Sequence, residues 1–284
     1  MNILEIKGLT KRFGDKVVLD QLDLIVPAHS IFGFIGQNGA GKTTTMKAVL
    51  GLLAPDAGEI YVAGERVSFG QTPTNRHIGY LPDVPEFYGF MTAAEYLDFC
   101  GQISGMPKAD RTKRTAELLE LVGLGGEKHR IKGFSRGMKQ RLGIAQALYN
   151  RPKLLICDEP TSALDPIGRK EILDILQKAC KETTVLFSTH ILTDVERICT
   201  DVALLRGGHV ALSGKLNELV SDRVTDSFLI ELSDGQTLNV KEAELPEALR
   251  NIADNQLSLE KIERQEPTLE ALFLELTEQE VTSC

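Results

Sequence analysis

The run Gly36-Gln37-Asn38-Gly39-Ala40-Gly41-Lys42-Thr43, with Thr44 beside it, carries the residue types of a phosphate-binding loop at the spacing such a loop requires. Glycines let the backbone curl so that successive N–H groups face one concave spot. A helix starting at Gly41 would add the positive end of its dipole there. Lys42 would reach the outer phosphates of a nucleoside triphosphate, and the Thr43 hydroxyl would ligate the Mg2+ bound to them. The bland alternative is a Gly-rich turn feeding a helix. The flanks disfavour it, because Ser30–Ile35 is an apolar strand pattern and Lys42–Leu53 a helical one.

A second segment adds acids. Leu154-Leu155-Ile156-Cys157-Asp158-Glu159 is an apolar run ending in two adjacent carboxylates, the Walker B pattern. Beside a phosphate loop, Asp158 would hold Mg2+ through water and Glu159 would polarise the attacking water. Taken alone, the segment reads equally well as an ordinary acidic strand end.

The order of segments is more specific than any of them. After the phosphate loop come Phe134-Ser135-Arg136-Gly137-Met138, then the Asp158-Glu159 strand, then Ser162-Ala163-Leu164-Asp165, then His190. Over about residues 3–215 this order resembles the nucleotide-binding domain of ABC transporters. The resemblance implies ATP and Mg2+ as cofactors. It implies that Ser135 and Gly137, in the place of the family's Leu-Ser-Gly-Gly-Gln signature, cap the γ-phosphate bound to a second subunit. Arg136 and Met138 depart from that signature. By the same resemblance His190 is a switch histidine on the γ-phosphate, Asp165 senses the opposite site, and Phe13 stacks on adenine. The residues alone leave other readings open: a structural histidine, an N-cap before a helix at Pro166, and a core phenylalanine.

One position departs from the family. After Ile78-Gly79-Tyr80-Leu81-Pro82, where most ABC domains have Gln, stands Asp83. An acid there is a hard oxygen donor that would take Mg2+, directly or through water. The competing reading of Pro82-Asp83 is a turn. The following Val84–Met91 is rich in aromatics in a Pro/Gly-broken loop, a composition favoured at interfaces. The resemblance implies that a transmembrane permease docks near residues 83–96.

The elements that must position these groups form an α/β pattern. The first thirty residues read as antiparallel β. Apolar strands at 31–35, 153–157, 184–188 and 202–205 alternate with helical patterns, which predicts a mixed or parallel core sheet with crossovers. A helix-rich stretch, broken by Gly105 and Pro107, predicts a helical subdomain at about 84–150. The expected organisation is an ABC-type P-loop domain over 1–220 and a small α+β accessory domain over 221–284. The latter would open with a hairpin at 228–240 and close with an apolar-faced helix at Glu266–Thr277, as in exporters of the ABC-2 group, including peptide- and antibiotic-export ATPases.

Composition narrows the partners. The chain has 284 residues and a formal net charge of -8, the wrong sign for broad contact with nucleic acid phosphates. No apolar run approaches the ~18 residues that span a bilayer. The N-terminus lacks the pattern of a secretory leader. The five cysteines form no C-x-x-C pair, as expected of thiols in a reducing compartment. The expectation is an ATPase on the cytoplasmic face of the membrane, paired as a homodimer or heterodimer. It would power export through a separate permease, with no nucleic acid partner. The alternative is a non-transport ABC ATPase acting on nucleic acid or ribosomes. Single copy of the loop and an acidic chain without heptads or C-x-x-C weigh against that alternative.

Overall fold

In the computed structural model, which describes residues 1–70, 73–221, 227–255, 257–265 and 269, the alternating apolar residues of the first thirty positions pair as a hairpin. Strands β1 (Asn2–Phe13) and β2 (Lys16–Pro27) turn at Gly14, where φ is +59°. Leu4, Ile6, Leu9, Leu22, Leu24 and Val26 are all buried on one side. The chain continues through β3 (Ile31–Ile35), α1 (Lys42–Val49), β4 (Ala57–Val62), β5 (Glu65–Arg66) and β6 (Ile78–Leu81). Then come α2 (Ala93–Ile103), α3 (Lys108–Leu121), α4 (Arg136–Ala147), β7 (Leu154–Asp158) and α5 (Pro166–Ala179). Next are β8 (Thr184–Thr189), α6 (Leu192–Ile198), β9 (Asp201–Arg206) and β10 (His209–Lys215). The tail holds α7 (Leu216–Ser221), β11 (Ser227–Leu232), β12 (Thr237–Lys241), α8 (Leu245–Asp254) and β13 (Leu259–Gln265).

The chain divides into two compact units, Met1–Lys215 and Leu216–Cys284. The break falls ahead of the expected position 220, because β10 hands directly to α7 without a linker.

In the first unit an antiparallel sheet of order β2-β1-β4-β5 faces a six-stranded sheet of order β10-β9-β3-β8-β7-β6. Neighbours in the larger sheet are parallel except β9 and β10. Between the sheets lies a core that joins Leu4 and Leu24 to Phe32, Phe34, Ile156 and Leu186, with Met46 and Val49 of α1 filling it. Such strands, buried on both faces, need near-continuous apolar sequence, as β3 and β7 have. Opposite the core, Gly33 leaves room for α6: a Cβ there would meet Cys199 Sγ and Val195 Cγ1 at 3.0 Å.

The helical stretch is α2–α4. Thr92 opens α2 with a capping box to Glu95, and Pro107 immediately precedes α3. The antiparallel N-terminal sheet, mixed core sheet and helical stretch match the expected architecture. One expected boundary does not: α1 was to run to Leu53 but stops at Val49. Gly51, at φ +67°, takes the left-handed conformation that ends a helix.

In the second unit β11 pairs antiparallel with β12 and β13. Ile230 and Leu232 pack with Ile252 of α8. The closing helix expected at Glu266–Thr277 lies outside the described residues apart from Leu269, which is buried.

Candidate active site

The loop between β3 and α1 is shaped by its glycines. Gly39 and Gly41 have φ of +83° and +111°. A Cβ on Gly41 would lie 2.6 Å from Leu19 Cδ2, and one on Gly36 would lie 2.7 Å from Leu205 O. Gly39 is required for its conformation, Gly36 for the space, and Gly41 for both. Gln37, Asn38 and Gly39 are exposed, as is Thr43, with Ala40 and Thr44 half-buried behind them. Lys42 is 6% exposed. Its Nζ donates to Gly36 O at 2.6 Å and to Gln37 O at 3.3 Å, folding the side chain back over the loop. The same Nζ lies 3.1 Å from Glu159 Oε1, an ion-pair contact without hydrogen-bond alignment.

The acids arrive from the parallel sheet. Register aligns Phe34 of β3, Ser188 of β8 and Asp158 of β7 in one row. Two residues earlier, the row Phe32, Leu186 and Ile156 belongs to the core, so the period of two aims Asp158 toward α1. Asp158 Oδ2 accepts from Thr43 Oγ1 at 2.7 Å and Oδ1 from Ser188 Oγ at 2.6 Å. Glu159 leaves the strand at φ +48°, and its N–H donates to Ser188 Oγ at 3.0 Å. Glu159 Oε2 lies 3.0 Å from His190 Nδ1, with the imidazole as donor because the carboxylate has no proton to give. Lys42, Thr43, Asp158, Glu159 and His190 therefore meet at the C-terminal ends of β3, β7 and β8. That edge is where ligands bind in open α/β sheets.

The Tyr80 phenol on β6 is pushed up to about 12, by burial first and then by Asp158, Cys157 and Asp83. Asp158 is buried, has hydroxyl partners only, and makes no ion pair among the described residues. Nor do three His, Cys, Asp or Glu side chains converge as a ready metal cage among those residues. One carboxylate and one hydroxyl suit a Mg2+ that completes its shell with phosphate oxygens and water.

Other predicted residues lie elsewhere. Ser135 caps α4, its Oγ accepting from Met138 N at 3.2 Å, and Asp165 caps α5 by accepting from Gly168 N at 3.2 Å. Ser135, Gly137, Leu164 and Asp165 line one open cavity of about 360 Å3, which no residue of the phosphate loop lines. Phe13 is 51% exposed at the tip of β1, with Lys11 Nζ over its ring at 5.5 Å, so it is not a core residue. The Asp83 carboxylate lies 3.3 Å from Arg136 Nη2. The backbone carbonyl of Asp83 accepts from Gln140 Nε2 at 2.7 Å.

Two groups escaped the sequence reading. Ser188 has no motif, and its only signal is a hydroxyl inside the apolar run before His190. Asp194 is buried and accepts from Thr161 Oγ1 and Arg169 Nη2, each at 2.7 Å, tying α6 to the loop after β7 and to α5.

Comparison with known proteins places this geometry. The family model described as "ABC transporter" matches residues 19–162. The chain is 43% identical over 241 residues to the uncharacterized ABC transporter ATP-binding protein YxlF of Bacillus subtilis, covering 84% of this chain and 77% of that protein. It is 42% identical to the bacitracin transport ATP-binding protein BcrA of Bacillus licheniformis, covering 72% and 67%. A solved ATP-binding subunit of an ABC transporter superposes with TM-score 0.69 at 32% identity, covering 78% of this chain and 92% of that one. The cbiO1 structure from Clostridium perfringens, described as part of the ABC transporter complex cbiONQ, superposes with TM-score 0.72 at 26% identity, with the same coverage.

Proposed function

Because the chain belongs to the ABC transporter ATP-binding family, which binds ATP and hydrolyses it to power transport, we propose that it drives export through a separate transmembrane permease. The convergence of Lys42, Thr43, Asp158, Glu159 and His190 carries this reading. Backbone N–H groups of Gly36–Thr43 and the ammonium of Lys42 hold the phosphates. Thr43 and Asp158 hold Mg2+, which when bound neutralises charge developing on the phosphoryl oxygens. Glu159 accepts a proton from the attacking water, and His190 steadies Glu159 from the other side. Phe13 supplies a stacking face for adenine.

The cavity at Ser135 and Asp165 lies apart from the loop, which supports a head-to-tail pair of ATPase subunits, each completing the other's site. The permease is assigned to the groove beside Asp83. That groove, of about 430 Å3, is lined by Asp83, Val84, Phe87, Lys132, Arg136 and Gln140. Val84, Tyr88 and Phe90 of the same loop are exposed, and clustered exposed apolar residues of this kind favour an interface. No helix among the described residues is long and apolar enough to cross a membrane. Relatives named for bacitracin transport support bacitracin or a similar compound as cargo, and export follows the ABC-2 resemblance.

The test of the site is Glu159→Gln. It should keep ATP binding and lose about 10²–10⁴-fold in turnover, the usual contribution of a general base. Normal turnover would remove Glu159 from the role. For the partner, the chain purified from its own cells should bring a polytopic membrane protein with it, and recovery of ribosomes or DNA instead would overturn the transport reading.

A further inference from the structure

Ser188 is fully buried near the end of β8, directly after the apolar run Val185–Phe187. In the parallel register it sits between Phe34 on β3 and Asp158 on β7. The Phe34 side chain offers no polar group, so the hydroxyl turns to β7 for its partners. It donates to Asp158 Oδ1 at 2.6 Å and accepts from Glu159 N–H at 3.0 Å. Two adjacent acids thus hang on one oxygen atom. With Oδ1 committed to Ser188, Oδ2 is the oxygen that faces Thr43. Glu159 meanwhile sits at φ +48°, a left-handed conformation that is strained for a residue with a Cβ. The hydrogen bond from its N–H holds it there.

We propose that Ser188 is a positioning residue for ATP hydrolysis. It fixes which carboxylate oxygen of Asp158 meets the divalent cation, and it locks the backbone turn that aims Glu159 between Lys42 and His190. This rests on the roles given above to Asp158 and Glu159 and adds the group that orients both. Ser188 acts through these two neighbours, as outer partners of metal ligands do.

Ser188→Ala tests it in the full chain, with Ser188→Cys as a companion that keeps a γ atom but only a weak donor. Three quantities are measured: Mn2+ affinity in the presence of a non-hydrolysable ATP analogue, by electron paramagnetic resonance; affinity for a fluorescent ATP analogue in EDTA; and kcat against Mg2+ concentration. Mn2+ affinity and kcat should each fall about 10–100-fold, the usual effect of losing an outer partner. Nucleotide affinity in EDTA should move by less than about threefold. The inference is overturned if Mn2+ affinity and kcat both stay within about threefold. It is overturned equally if affinity in EDTA falls as far as kcat, since the whole loop would then have been disturbed. Where the alanine variant does not fold, the cysteine variant decides by the same criteria. Glu159→Gln in parallel separates the two readings: unchanged turnover there would sink the role of Glu159 while a weakened Mn2+ site in Ser188→Ala would still stand.

Discussion

Arg136 Nη2 lies 3.3 Å from Asp83 Oδ1, so the acid that replaces the family's usual Gln is partnered by the base that interrupts its signature sequence. Both side chains are well exposed, so their coupling should be about 0.2–1 kcal/mol, and salt should weaken it. A double-mutant cycle of Asp83→Asn and Arg136→Gln, read by urea unfolding at low and high salt, checks this. A coupling of zero at low salt would deny the pair. Asp83→Asn should also leave the Mg2+ requirement of ATP turnover unchanged, whereas Asp158→Asn should raise it about tenfold or more.

Gly41 is the tightest point of the phosphate loop. At φ +111°, with Leu19 Cδ2 2.6 Å and Val18 O 3.1 Å from where a Cβ would be, Gly41→Ala combines backbone strain with a clash. We expect a loss of about 1–3 kcal/mol in stability and loss of measurable ATP binding by calorimetry, because the N–H groups no longer converge. Wild-type affinity in this variant would show that the loop's curl is not what binds.

The contrast between Gly41 and Ser188 explains what could be read from sequence. The phosphate loop is contiguous, and its chemistry follows from spacing within one turn. Asp158 and Glu159 are likewise adjacent, and Asp165 announces itself as an N-cap by the proline after it. Ser188 gains its meaning only when β7 and β8 pair in one register, and nothing local encodes that pairing. The Arg136–Asp83 contact is equally non-local. Sheet order, with β3 between β8 and β9, is also a long-range property. Helix α1 ends short of Leu53 because Gly51 turns left-handed, and a glycine's conformation is not written in its own letter.

Asp194 anchors a buried network with Thr161 and Arg169, at 2.7 Å to each. Thr161→Val leaves a buried carboxylate oxygen without its donor, and Asp194→Asn weakens the pair with Arg169. Each should cost about 1–3 kcal/mol in urea unfolding. A change below about 0.5 kcal/mol, the level of an ordinary surface substitution, would mean that water replaces the lost partner.

Cys157 lies between Ile156 and Asp158 on β7 and is wholly buried. Burial, with Asp158 adding to it, pushes its thiol well above the ordinary range. The neutral form is therefore kept as pH rises, and the thiolate is the form that reacts. In the native protein at pH ~9, above the ordinary thiol range, iodoacetamide should modify Cys157 at least about 100-fold more slowly than in urea, as followed by peptide mass spectrometry. Comparable rates in the two conditions would mean that this central strand opens readily.

Strand β3, which leads into the phosphate loop, is hydrogen-bonded on one edge by β8 and on the other by β9. Both neighbours come from the far side of the helical stretch. During synthesis from the N-terminus, β3 emerges early and waits, with both edges unpaired, until residues beyond Thr184 have left the ribosome. Contacts so distant in sequence make folding slow, and an unpaired apolar strand invites aggregation in the interval. The nucleotide site is thus a late product of folding. A nascent chain released before β8 has the whole phosphate-loop motif and no sheet to hold it, so it is a client for chaperones and not a partial enzyme.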